Sequence, residues 1–199
     1  MKATQTLPET YQLDRTLDFK TGRVKWTMNL AGGALSIVFA WLAMQLLYWL
    51  HPSAELRAII SLQTLPLVIG AMLLLTLVTL VLHELVHGLF FWRFTGDRPK
   101  FGVTLSPLAF YAGAPDWYLP RHQHMIVGLA PLIIITLAGV GLAIVLPTIP
   151  AAAALFIATA NAAGAIGDIM GFLWELRLPA STLVQDSGDV FESYVAAAG

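Results

Sequence analysis

The chain has 199 residues, 57% of them hydrophobic and only 12% charged, with a formal net charge of −1. Soluble domains usually carry about twice that charged fraction, so the composition excludes an ordinary water-soluble enzyme, and the balanced charge gives nucleic acid no footing. Cysteine is absent, which excludes disulfides and thiolate ligands; any metal must rest on His, Asp, Glu and water.

Residues 1–27 are polar and mixed in charge, and they lack the short apolar core and small-residue cleavage site of a signal peptide. They read as a cytoplasmic N-terminal segment. A membrane-spanning helix needs about 20 mostly apolar residues. The first such stretch is 28–50, with Trp41 and Trp49 as interfacial anchors. The second is 65–94. Between 95 and 124 the chain is irregular, since Gly96, Pro99, Gly113, Pro115 and Pro120 break any helix. Within it, Phe101 to Tyr111 is aromatic and β-favouring, and Pro107 would confine a strand there to an edge. An edge strand could hold an extended substrate by β-addition; an ordinary interfacial loop is the plainer alternative. The third and fourth stretches are 125–147 and 151–174. The tail, 175–199, reads as a short amphipathic surface piece or a mobile end. The expected fold is an all-α membrane protein: a domain of about four transmembrane helices over 28–174, with an irregular cytoplasmic loop, open to β-structure, between the second and third.

Lys and Arg placement sets the orientation. Lys2, Arg15, Lys20, Arg23 and Lys25 lie in the N-terminal segment, Arg93, Arg98, Lys100 and Arg121 around the central loop, and Arg177 in the tail. Only Arg57, in the 51–61 connection, falls on the other side. With four spans, ten of the eleven basic residues share one face, so both termini are expected in the cytoplasm.

Within the second span residues 83–87 read His-Glu-Leu-Val-His. Two histidines four apart share a helix face and can converge on one metal. Glu84 lies beside them, where it can take a proton from a metal-bound water. A catalytic zinc usually has three protein ligands. Of His51, Asp97, Asp116, His122, His124, Asp168 and Glu175, only Asp168 lies well inside a predicted span, where a carboxylate needs a functional reason to persist. His87 and Asp168 each precede the cytoplasmic end of their spans by about seven residues, so both sit roughly 10 Å deep. His122 and His124, beside Arg121, read as interfacial rather than ligating, and Asp116 as a turn residue. Asn161 is two turns before Asp168 on a similar face. It is a candidate to bind a substrate backbone or oxyanion, or to bridge helices. Gly88, Gly164, Gly167 and Gly171 leave room for close helix approach.

These residues resemble the site-2-protease-like intramembrane zinc metallopeptidases and, more closely, a group of small bacterial membrane proteins regarded as zincin peptidases. The resemblance rests on His83-Glu-Leu-Val-His87-Gly88 and on Asn161-Ala-Ala-Gly-Ala-Ile-Gly-Asp168. It extends loosely through the central loop and the Gly128-Leu-Ala-Pro131 opening of the third span, over roughly residues 65–175. It implies Zn2+ as cofactor, His83, His87 and Asp168 as ligands, Glu84 as general base or acid, and substrate handling by Asn161. The chain lacks the proline that usually follows that asparagine and the glycine that usually follows the aspartate. The expected activity is a membrane-embedded zinc metalloendopeptidase in a bacterial cell membrane, acting on membrane proteins or peptides in the bilayer. The alternatives are a non-catalytic metal-binding membrane protein, closed by a fourth ligand such as His122 or His124, and a small transporter.

Overall fold

A computed structural model describes residues 1–52, 63–105 and 108–197; Arg57 and Pro107, which bear on the expectations above, lie outside them. In chain order the elements are β1 (Tyr11–Asp18), α1 (Gly22–Leu50), α2 (Leu65–Thr95), β2 (Lys100–Leu105), β3 (Leu108–Gly113), β4 (Tyr118–Pro120), α3 (Arg121–Val145), α4 (Thr148–Gly164), α5 (Ile166–Glu175), β5 (Leu183–Asp186) and β6 (Val190–Ala196).

Three helices, α1, α2 and α3, are long and apolar enough to cross a membrane. Only 6% of the apolar windows of α1 and α2 is buried inside the protein. A helix that is apolar all round and unburied needs lipid as its solvent. The third span begins earlier than expected, at Arg121. The fourth is not one continuous helix: α4 and α5 are bent by 47° across a break at Ala165. Glycines on both sides of that break, Gly164 and Gly167, weaken helix continuity. Elsewhere the ends follow local chemistry. Pro66 stands in the first turn of α2, and Gly96 closes α2 with φ +77°, donating its N–H to the Trp92 carbonyl at 2.8 Å.

The fold is not purely helical. A four-stranded antiparallel sheet in the order β1-β6-β5-β4 gathers the N-terminal segment, the tail and the approach to α3. Tyr11 faces Ala196 and Asp18 faces Val190 across β1 and β6, with a bulge between Leu13 and Arg15. Within the tail, Leu183–Asp186 and Val190–Ala196 are strands of this sheet and not a mobile end. Its β5–β6 turn uses Gly188 at φ +86°, and Gly188 N–H reaches Asp186 Oδ1 at 2.6 Å. A separate hairpin, β2–β3, forms where β-structure was one of the two expectations, with Phe101 paired to Ala112.

At the end away from the sheet, Leu47, Ala143, Ala151 and Leu155 pack α1, α3 and α4 together. Gly139 sets the α3–α4 spacing, because a Cβ there would stand 2.8 Å from the Ala154 carbonyl oxygen. Nearer the sheet, Phe91, Ala114, Leu119 and Val127 form a second apolar cluster. Gly88 receives the hairpin: a Cβ there would lie 2.5 Å from the Phe101 ring. Gly171 likewise receives Phe191 of β6, at 2.6 Å. Gly164 has open space and Gly167 faces Met28, so the glycines around Asp168 make room for the sheet and for α1 rather than for α2.

Candidate metal centre

His83 and His87 occupy adjacent turns of α2, and Asp168 sits in the first turn of α5, where the helix N-terminus favours a carboxylate. The three converge. His83 Nε2 lies 3.1 Å from Asp168 Oδ2, His87 Nε2 lies 3.4 Å from Asp168 Oδ1, and the two Nε2 atoms are 3.0 Å apart. His87 is buried and the other two are partly buried. His87 stands eight residues before the end of α2 and Asp168 seven before the end of α5.

What the far side of each ring touches decides what these atoms can do. His87 Nδ1 meets the Val127 carbonyl at 3.0 Å, and a carbonyl only accepts, so the proton is on Nδ1. His83 Nδ1 meets Asn161 Oδ1 at 2.9 Å. The amide cannot be turned round, because Asn161 Nδ2 donates to the Pro131 carbonyl at 3.1 Å. Both imidazoles therefore donate from Nδ1 and present lone pairs at Nε2. With neutral rings, two lone pairs and a carboxylate this close repel unless a proton or a metal cation joins them. Tetrahedral zinc with bonds of about 2.0–2.1 Å would hold its ligands roughly 3.3 Å apart, close to the distances here. The residues present fit a divalent metal.

Glu84 faces the same space, with Ala112 of β3 lining it alongside. A cavity of about 190 Å³ runs past His83, Glu84, His87 and Asp168, bordered by Tyr111 and Ala112 of β3 and by Gly188 and Phe191 of the tail. Among the described residues, no other His, Asp or Glu joins the three as a potential ligand. A tetrahedral metal held by these three would keep one position for water or substrate, as catalytic zinc sites do.

A protein-family model described as "putative zincin peptidase" matches residues 76–183, more than half of the chain, and contains every residue of this centre. The chain belongs to that family. No curated protein and no solved structure matches it. Zincin membership points to a zinc metallopeptidase, in agreement with the donor set found at His83, His87 and Asp168.

Other candidates in this zincin chain are engaged elsewhere. His51 closes α1, with Nε2 3.4 Å from the Ala143 carbonyl. Asp97 accepts from Gln5 and from the Trp117 indole, and Asp116, in a turn, pairs with Lys100 at 2.5 Å. His122 borders an apolar groove on α3. His124 is not interfacial: it is 2% exposed, with Nδ1 2.6 Å from Glu175 Oε1 and Nε2 3.3 Å from Asp186 Oδ2. This buried group ties α3, α5 and β5 together at one end of the cavity. Arg121 adds to the tie, its guanidinium donating to the Glu175 and Leu178 carbonyls. Sequence reasoning missed this cluster because Asp186 looked like part of an unstructured tail. It also missed Val127, whose only signal is a proline four residues later.

Proposed function

We propose that the protein is a membrane-embedded zinc endopeptidase of the site-2-protease-like kind, open toward the cytoplasm. The observation that carries this reading is the convergence of two Nε2 lone pairs and one carboxylate beside Glu84, with both Nδ1 protons held by acceptors. His83, His87 and Asp168 would hold a zinc ion there, whose Lewis acidity would polarise a carbonyl and make water nucleophilic at neutral pH. Glu84 takes the attacking water's proton and returns it to the leaving amine, which breaks the peptide bond with protons balanced. Among the described strands β3 pairs only with β2, so its other edge offers main-chain partners to an extended substrate beside the cavity. Asn161 acts as an orienting residue for His83 in this scheme, since both ends of its amide are taken up within the protein. The substrate is a membrane protein or a peptide reaching the centre from the bilayer surface, and both termini lie in the cytoplasm. The charge asymmetry of the chain supports that topology.

A closed, non-catalytic metal site has less support, because His124 is committed to Glu175 and Asp186 and His122 faces the apolar groove. A transporter would need a polar path across the outer half, and the groups that pack α1, α3 and α4 there are Leu47, Ala143, Ala151 and Leu155. The test is Glu84→Gln in purified protein. It is expected to bind zinc like the wild type while cleavage falls about 10²–10⁴-fold. Normal cleavage by a zinc-loaded Glu84→Gln protein would remove Glu84 from the mechanism.

A further inference from the structure

The two Nδ1 contacts that orient the ligating histidines trace back to one residue that is not a ligand. Pro131 stands inside α3. A proline has no N–H, so the carbonyl four residues earlier loses its intrahelical partner. That carbonyl is Val127's, and it is the one that receives His87 Nδ1 at 3.0 Å. Pro131's own carbonyl accepts Asn161 Nδ2 at 3.1 Å, and this fixes the amide so that Oδ1 faces His83 Nδ1. Pro131 is fully buried, as are Val127 and Asn161 at 1% exposure each. Water therefore does not substitute for either contact.

We infer that Pro131 is a positioning residue for the metal centre: its missing N–H releases the Val127 carbonyl to orient His87, and its carbonyl sets Asn161 to orient His83. The inference rests on the metal reading above. It makes an unusual demand on a helix, since the element is weakened locally so that a ligand can be held. Outer contacts of this kind usually change metal affinity by about 10–100-fold.

The experiment compares zinc affinity and metal-free thermal stability for the full chain and for Pro131→Ala in detergent. Alanine restores the N–H and removes a residue unfavourable in helix interiors. The expected result is a zinc Kd raised at least about tenfold, with a metal-free Tm that is unchanged or higher. A third protein separates the ring from the donor. Lactate incorporated at position 131 gives an ester in place of the amide, so it has neither ring nor N–H, and it is expected to restore most of the wild-type affinity. An unchanged Kd in Pro131→Ala overturns the inference. So does a weaker Kd accompanied by a lower metal-free Tm, which would make the proline a packing residue, and so does failure of the lactate protein to regain affinity. If the wild type itself binds no zinc, the metal reading falls first and this inference falls with it; a wild type that binds beside an equally tight Pro131→Ala overturns the inference alone.

Discussion

At the scale of single residues the centre is defined by which atoms lack protons. His83 and His87 each spend Nδ1–H on an acceptor fixed by the fold, so in the neutral rings Nε2 is left to accept. Asn161 is the weaker of the two supports, because a side chain rather than the backbone holds the ring. Asn161→Leu is expected to raise the zinc Kd by about 10–100-fold, measured by competition with a chelator, whereas a residue serving substrate alone would leave the Kd unchanged. The three donors that converge were legible in the sequence. Spacing puts His83 and His87 on one helical face, and a lone carboxylate at matching depth supplies the third donor. Asn161 was legible only as a position, since spacing does not say which partners its amide will find. Val127 was not legible, because a backbone carbonyl carries no residue signature except the proline that releases it.

At the scale of elements, the apolar stretches were readable because lipid demands long uniform runs. The bend at Ala165 was not, since alanine and glycine continue an apolar run as well as they interrupt a helix. The strands of the four-stranded sheet were missed for another reason. Tyr11, Leu13 and Leu17 do alternate with polar residues in β1, but the partner strand begins at Val190, and local pattern cannot choose so distant a pairing. In the same sheet β5 pairs with β4, which leads into α3, and the buried His124–Glu175–Asp186 group beside that pairing makes a stability prediction. His124→Leu leaves two buried carboxylates without the imidazole that bridges them. Removing one member of a buried ion pair typically destabilises by about 3–5 kcal/mol, so denaturant unfolding in detergent should show a loss of that size. A loss no larger than that of an exposed pair, about 0–1 kcal/mol, would show that the cluster does not hold the sheet to the helices. At the opposite end, Gly139→Leu should also destabilise, by at least about 1–3 kcal/mol, because the nearest obstruction is the Ala154 backbone and not a movable side chain.

At the scale of the whole molecule, one sheet gathers β1, β4, β5 and β6, so the N-terminal segment, the tail and the start of α3 lie together at one end of the helices. In the proposed topology that end faces the cytoplasm, as the placement of Lys and Arg favours. The absence of cysteine makes this directly testable. Single cysteines replacing Thr4 or Ser187 should react with a membrane-impermeant thiol reagent only from the cytoplasmic face of vesicles, and one replacing Thr148 only from the other. Labelling of all three from one face would refute the arrangement. The sheet end is also where the cavity lies, between β3 and the β5–β6 turn, so cytoplasmic water and an extended peptide would share one approach to Glu84. The most direct test of the centre is zinc content per purified chain for the wild type, His83→Ala and Asp168→Ala. The account predicts one zinc ion in the wild type and loss of most of it in each variant. Full zinc retention in Asp168→Ala would contradict it.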